Sequence, residues 1–343
     1  MRFSLFFFAN GDDPDEQYRL LIEASRFADA AGFSAVWTPE RHFHPFGAPF
    51  PNPAVTGAAV AAATRRIAVR AGSVVLPLHD PLRVAEEWAV VDRLSGGRAE
   101  VAFASGWNPQ DFVLAPERFT EAKQEMRRGI DEVLQLWSGT AVERTGPGGR
   151  RYPVRTYPTP RQGGLPLWIT AAGSPGTYAL AGELGAGVLT HLLGQSLDEL
   201  EENLAGYTDA LTAHGHGIER ERVCVMVHTH LGPDRERALA AAKGPLMAYM
   251  RSSLSLFGLG STAPAGDGTG EDALDELLEL AYLDFSRDRC LLGSAADALP
   301  LVEALAALGV DEIGCLIDFG IGTDEVLHSL TALAELNRRC ADL

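Results

Sequence analysis

The amino-acid sequence predicts a (β/α)8 barrel with insertions at its C-terminal face, formed by residues 1–343 as one domain. Three observations lead there. Apolar runs of strand length alternate with amphipathic stretches of helix length along the chain. Several of the runs are continuously apolar, as strands covered on both faces must be. The alternation repeats eight times, the number that closes a parallel barrel. An open doubly wound sheet would use the same units, but no GxGxxG follows the first strand.

The elements follow in order. Residues 3–8, "FSLFFF", form the first strand, and residues 16–31 the first helix, ended by Gly32. A strand at 35–37 precedes an Ala-rich helix at 54–64. A strand at 67–76 leads to a helix at 82–94, stopped at Gly96–Gly97. A strand at 99–104 leads to a helix at 117–137. Strands at 167–170 and 187–190 bracket a helix at 177–184, and a helix at 197–213 precedes a long apolar strand at 223–231. A helix at 295–308, stopped at Gly309, a strand at 312–317 and a helix at 323–338 complete the series. Two stretches break the repeat. Residues 140–164, "TAVERTGPGGRRYPVRTYPTPRQGG", read as a hairpin around GPGG followed by a Pro-rich loop. Residues 258–270, "GLGSTAPAGDGTG", are too polar and Gly-rich to pack. Long insertions in a barrel carry substrate recognition or lids, although the second stretch reads equally well as a disordered surface loop.

Composition excludes several function classes. The net charge is −17 with no local basic run, so phosphate backbones and anionic membranes repel the chain, and neither nucleic acid nor a membrane is expected as a partner. Cys224, Cys290, Cys315 and Cys340 form no CxxC pair and suggest no disulfide framework; Cys224 and Cys315 fall in apolar runs and read as small hydrophobes. The N-terminal "MRFSLFFFAN" lacks a signal-peptide cleavage pattern, and no stretch reaches membrane-spanning length, so a soluble cytoplasmic protein is expected.

The chemistry concentrates just after strands, where a barrel places its catalytic face. Glu40, Arg41, His42 and His44 in "VWTPERHFHPFG" follow the second strand; the plainer reading is a solvated loop. In "AGSVVLPLHDP", Gly72 and Ser73 remove bulk where backbone would approach something flat, or else mark a glycine bulge. In "ASGWNPQDF", small Ser105 followed by Trp107 and Asn108 suits a planar ligand with hydrogen-bonding edges, or a turn with a core tryptophan. In "LWITAAGSPGTYALAGELG", Ala172, Gly173, Ser174 and Thr177 open a helix whose N–H groups, hydroxyls and dipole suit a phosphate, or make an ordinary capped helix start.

Together these stretches resemble the bacterial luciferase-like flavin monooxygenases. Residues 36–112 follow the luciferase α-subunit pattern almost without gaps, and the likeness resumes at 167–190; the "WTPERHFHPFG" and "ASGWNPQDF" forms resemble the subgroup found in polyketide and nonribosomal-peptide biosynthesis. The resemblance implies a barrel that binds reduced FMN and reacts it with O2, the resulting C4a-(hydro)peroxyflavin oxygenating an organic substrate, which is small or tethered to a carrier protein. It also implies a homodimer and a non-proline cis peptide at Gly72–Ser73 beneath the isoalloxazine. The phosphate would lie at Gly173, Ser174 and Thr177. No NAD(P)H fingerprint is present, so a separate reductase would supply reduced flavin. Two positions depart from the pattern. Luciferases carry Glu-His-His where this chain has Glu40-Arg41-His42, so the catalytic histidine of that family falls on Arg41. Arginine cannot act as a base near neutral pH but can hold an anion, which leaves His42 as the acid–base candidate beside Arg41 and Glu40. The arginine that family members direct at the flavin phosphate is Ser105 here, which keeps the deazaflavin F420 as an alternative cofactor.

Two rivals differ in class. A metal-dependent barrel hydrolase would use His42, His44, His191 and Asp318 as ligands, although His42-x-His44 follows the second strand rather than the first and no lysine sits at a strand end to bridge metals; no metal is expected. A non-catalytic flavin-binding relative would have lost the polar loop after the second strand, which is intact here.

Overall fold

The apolar runs become barrel staves. A computed structural model describes residues 1–9, 13–45, 47–220, 222–256 and 269–343. Strands β1 (Arg2–Phe6), β2 (Ala35–Thr38), β3 (Ala68–Val75) and β4 (Ala99–Ala104) are followed by a hairpin, β5 (Val142–Thr145) with β6 (Arg151–Val154), and then β7 (Leu167–Thr170), β8 (Gly187–His191), β9 (Val223–Leu231), β10 (Leu291–Gly293) and β11 (Glu312–Leu316). The sheet runs β10-β9-β11-β1-β2-β3-β4-β7-β8, and a β8–β9 pairing closes it. The closed circuit is therefore the predicted barrel of parallel strands, with β10 as an additional short strand beside β9. Burial on both faces accounts for the largely apolar runs: every residue of β9 and of β11 is buried.

The helices α1 (Pro14–Ala31), α2 (Pro53–Ala63), α3 (Pro81–Ser95), α4 (Ala122–Trp137), α5 (Pro175–Glu183), α6 (Leu197–Ala213), α7 (Arg235–Leu256), α8 (Thr269–Asp288), α9 (Ala295–Ala307) and α10 (Thr323–Arg339) wrap the sheet. The first three start alike: Asp13, Asn52 and Asp80 cap with a side-chain oxygen and proline follows, where its missing N–H costs nothing. Glu199 and Asp297 complete capping boxes with Ser196 and Ser294.

The barrel interior is filled, and by charge as well as carbon. Arg70 donates through Nε to Glu100 Oε2 at 2.8 Å and through Nη1 to Glu312 Oε1 at 2.6 Å. Because β3 and β11 are not neighbours, the second bond crosses the lumen. The guanidinium lies between Trp37 and Trp168, 4.8 and 4.7 Å from their ring centroids, and Trp168 Nε1 donates to Glu100 Oε2 at 2.7 Å. Burial pushes the Glu312 carboxyl up, but the charge and hydrogen bond of Arg70, the Ser4 hydroxyl and the Arg2 charge together outweigh it and hold the group below the usual carboxylate range.

Several sequence expectations need correction. Helix α4 begins at Ala122 rather than 117, because Pro116–Arg118 forms a separate 3-10 turn. The long α7 was not anticipated: Gly244 and Pro245 inside it read as breakers. Nor was α8, which begins against the Gly-rich stretch, or the three-residue β10. The hairpin around GPGG is present as predicted. Of the stretch 258–270, all but Thr269 and Gly270 lies outside the described residues. No helix among the described residues is long and apolar enough to cross a membrane.

Candidate active site

The polar loop after β2 closes over the C-terminal end of the barrel around one buried carboxylate. Glu40 Oε1 accepts from His42 Nε2 at 2.8 Å and from His79 Nε2 at 2.6 Å, and Oε2 accepts from the Val75 N–H at 2.8 Å. The Glu40 side chain is fully buried, whereas those of His42 and His79 keep 12% and 26% exposure. Glu40 thus braces the loops after β2 and β3 rather than opening onto the mouth, a placement that its position in the sequence did not reveal. Burial pushes its carboxyl up, but the hydrogen bonds from His42 and His79, the His79 charge and the Val75 N–H outweigh this and hold it below the usual range. His79 responds in the opposite sense: burial pulls it down, while the bond to Glu40 and the charges of Glu40 and Glu87 hold it above the usual imidazole value.

Arg41 points the other way, into the mouth. Its guanidinium lies 5.0 Å from the Phe8 ring centroid and 5.4 Å from that of Trp107. Burial lowers its proton affinity, opposed by the nearby Asp111 and Tyr249. Asp111 belongs to the loop after β4. Burial raises its carboxyl, opposed by Arg41 and His42 and by the bond from Asn108 Nδ2 at 2.9 Å. The two loops are tied where Gln110 Nε2 donates to the Phe43 carbonyl at 3.2 Å. Asn108 holds Asp111 and accepts from the Gln110 N–H at 3.2 Å. Trp107 is 44% exposed, a large apolar surface on the mouth rather than a core residue.

The far side of the mouth is lined by aromatic rings. His228 on β9 packs against Tyr249 of α7, with 4.4 Å between ring centroids, and against Phe285 and Phe319. Burial pulls His228 down to about 3 and also lowers His191 at the end of β8, so both imidazoles are uncharged. Asp318, after β11, accepts from the Phe8 and Ala9 N–H groups at 2.7–2.9 Å, and burial pushes it up to about 7. The ligand set imagined for a metal hydrolase is not assembled. The one group of three potential ligand atoms within 4.8 Å among the described residues is Glu40, His42 and His79, without His44, His191 or Asp318. There both imidazoles point Nε2 at one carboxylate oxygen at hydrogen-bond length, in the place a cation would take.

On the adjoining arc of the barrel, the Gly72–Ser73 peptide is cis, as the resemblance implies. A Cβ at Gly72 would stand 2.9 Å from Phe6 Cε2 and 3.1 Å from Trp37 Cβ, so the position admits only glycine unless the aromatic layer beneath moves. Ser73 Oγ and the Thr170 hydroxyl are 2.6 Å apart, linking β3 to the end of β7. Past Thr170 comes the turn that opens α5. Its N-cap, Ser174, makes no side-chain capping bond, and Ala172 and Gly176 are exposed. Beside it is a cavity of about 440 Å3 lined by Lys123, Arg127, Arg128, Gly176, Thr177 and Glu183 among others. Lys123 makes no ion pair among the described residues, whereas Arg127 lies 3.6 Å from Glu183. Ser105, by contrast, has a single long contact among the described residues, 3.5 Å to the Gly106 carbonyl.

The structure thus adds His79, Asp111, Lys123, His228 and Tyr249 to the residues the sequence singled out. His79 and Asp111 lie within the quoted stretches, and Lys123 is one of only two lysines in the chain. Nothing local marks His228 or Tyr249, which reach the mouth through tertiary packing.

A closed parallel barrel whose loops after β2, β3 and β4 gather ionisable side chains at one end is the framework of an enzyme. Residues 1–312 match the family described as luciferase-like monooxygenase, and the chain belongs to that family of flavin-dependent oxygenases. Among its relatives is the oxygenase component of a flavin-dependent trigonelline monooxygenase from Acinetobacter baylyi, 28% identical over 96% of this chain and 92% of the relative. Another is 4-hydroxyprotoasukamycin monooxygenase from Streptomyces nodosus subsp. asukaensis, 29% identical over 85% of this chain and 78% of the relative. A monooxygenase from Streptomyces bottropensis shares the fold with a TM-score of 0.81 at 22% identity, covering 98% of both chains. The oxygenating constituent of 3,6-diketocamphane monooxygenase from Pseudomonas putida, a type II Baeyer–Villiger enzyme in complex with FMN, does so at 0.77 and 18% identity, covering 99% of both. An F420-dependent secondary alcohol dehydrogenase superposes at 0.71 and 17% identity, covering 98% of this chain and 97% of the other.

Proposed function

We propose that this chain uses reduced FMN and O2 to oxygenate an organic intermediate of secondary metabolism, presented free or on a carrier protein, with reduced flavin delivered by a separate reductase. The observation that carries the reading is the convergence of Arg41, His42 and Asp111 from two loops onto one mouth, braced from beneath by Glu40. The donor set beside α5 fits a flavin phosphate: Lys123 and Arg127 supply charge, and Ser174, Thr177 and the helix N-terminus supply hydrogen-bond donors. Ser73 and Gly72 would lie against the ring system, with Trp107 at its edge. Bound reduced flavin supplies the electrons that activate O2. The protein's own part is proton control. His42 commits Nε2 to Glu40, which leaves Nδ1 to exchange a proton in the mouth, while Arg41 provides a fixed positive charge for an anionic oxygen or a substrate carboxylate. His191 and His228, uncharged, place no competing cation there. F420 remains the alternative cofactor; the match to an oxygenase family supports FMN over it.

The phosphate assignment has a direct test. Lys123→Ala should weaken FMN binding about 10-fold or more, the size of one charge-assisted hydrogen bond, and leave riboflavin, which lacks the phosphate, unaffected. Anaerobic titration of both flavins checks this. Equal losses for the two would remove Lys123 from the phosphate site.

A homodimer through α2 and α3 is the expected assembly. Val55, Ala59 and Ala62 form an exposed apolar strip on α2, and Val90 and Leu94 continue it on the neighbouring α3. Light scattering at micromolar concentration should give twice the chain mass, and Val55→Glu with Leu94→Glu should halve it.

A further inference from the structure

His79 shares one carboxylate oxygen of Glu40 with His42. Both imidazole Nε2 atoms lie within hydrogen-bond distance of Glu40 Oε1, at 2.8 Å for His42 and 2.6 Å for His79. One buried negative charge therefore serves two titratable rings. We propose that His79 is a positioning residue that acts through Glu40 to set the pH at which His42 carries its proton. This rests on the reading of His42 as the acid–base group.

The coupling follows from electrostatics. When His79 is an imidazolium, Glu40 is already compensated and attracts a second proton on His42 only weakly. When His79 is neutral, the whole charge of Glu40 favours protonated His42. The carboxylate is fully buried, so little solvent screens the exchange, whereas His79, the more exposed of the two rings, is open to the bulk. The charged surroundings of each group are few. His79 faces Glu40, Glu87 from α3 and Arg118 from the 3-10 turn, whose Nη1 also donates to the His79 carbonyl at 2.7 Å. His42 faces Glu40 and Asp111, with Arg41 next to it in sequence and opposite the same Asp111. Glu87 favours the His79 cation and Arg118 opposes it, so Glu40 and Glu87 together hold the charge on His79.

The test reads His42 directly. In the full-length protein with 15N-labelled histidine, NMR titration of the His42 ring should show two inflections, its own and that of His79. His79→Gln keeps a hydrogen-bond donor to Glu40 but cannot charge; His42 should then titrate in one step, moved up by roughly one pH unit or more, about 10-fold in proton affinity. His79→Lys keeps a fixed cation, and His42 should titrate once, near its lower wild-type midpoint. The limb of the pH–rate profile that reports His42 should move with these midpoints. The same single midpoint for His42 in all three proteins would overturn the proposal. Midpoints that move as expected while the pH–rate profile stays fixed would uphold the coupling and instead reject His42 as the acid–base group.

Discussion

Replacing His42 by alanine should cut product formation by about 10²–10⁴-fold, the usual worth of a positioned acid–base group, while raising the fraction of O2 released as H2O2. Flavin binding should stay near normal, because the turn and Lys123 proposed to hold the flavin phosphate sit on α5 and α4, whereas His42 follows β2. Arg41 is separable from it. Arg41→Lys keeps the charge but loses the planar fork and the stacking on Phe8 and Trp107, so it should fall between wild type and Arg41→Ala. Product yield and H2O2 yield measured together in a reductase-coupled assay decide the matter. Wild-type coupling in both alanine variants would remove Arg41 and His42 from the mechanism.

The second large effect lies inside the barrel. Arg70→Met leaves Glu100 and Glu312 without their cation, and Glu312 is fully buried. Removing one partner of such a buried network typically costs about 3–5 kcal/mol. The pH dependence has a definite sign. In the wild type Glu312 titrates below its unfolded value, so its contribution to stability is present above the unfolded value and is lost as pH falls through the folded one. The variant lacks that contribution, so the gap between the two proteins should narrow on acidification from neutral pH toward the carboxylate range. Replacing the whole network, with Glu312→Leu and Glu100→Gln added to Arg70→Met, should recover much of the loss, since well-packed apolar groups of similar volume match a complete buried ion network. Denaturant midpoints across pH check both statements. A flat difference across that range would mean that Glu312 is not the group responsible.

The barrel was legible because its signal is local. Largely apolar runs such as 223–231 and 99–104 became β9 and β4 with the expected bounds, since burial on both faces keeps most positions apolar. The same logic failed for α7, where Gly244 and Pro245 argue against a helix that packing nevertheless holds. At the site, the loop after β2 announced itself by placing ionisable residues at a strand exit. What the letters could not give was direction. Adjacent in sequence, Glu40 turns inward to two histidines while Arg41 turns to the mouth. His79, thirty-nine positions away, becomes a partner of Glu40 only because β2 and β3 are neighbours in the sheet. Asn108 shows a bond pattern the letters could not give: its amide also shapes its own turn, through Asp111 and the Gln110 N–H.

Gly47, the last residue of the opening motif "VWTPERHFHPFG", has φ +82°, and a Cβ there would lie 2.8 Å from Arg41 Cγ and 3.3 Å from the Phe8 carbonyl. The stem of Arg41 therefore runs through space that any other residue at 47 would claim. For anyone building variant libraries around this mouth, positions 41 and 47 are one choice rather than two. Short side chains can be sampled at 41 with Gly47 in place, but diversifying 47 while keeping Arg41 should yield mostly displaced guanidiniums. A screen that varied the two independently would mistake that displacement for a preference at position 47 itself.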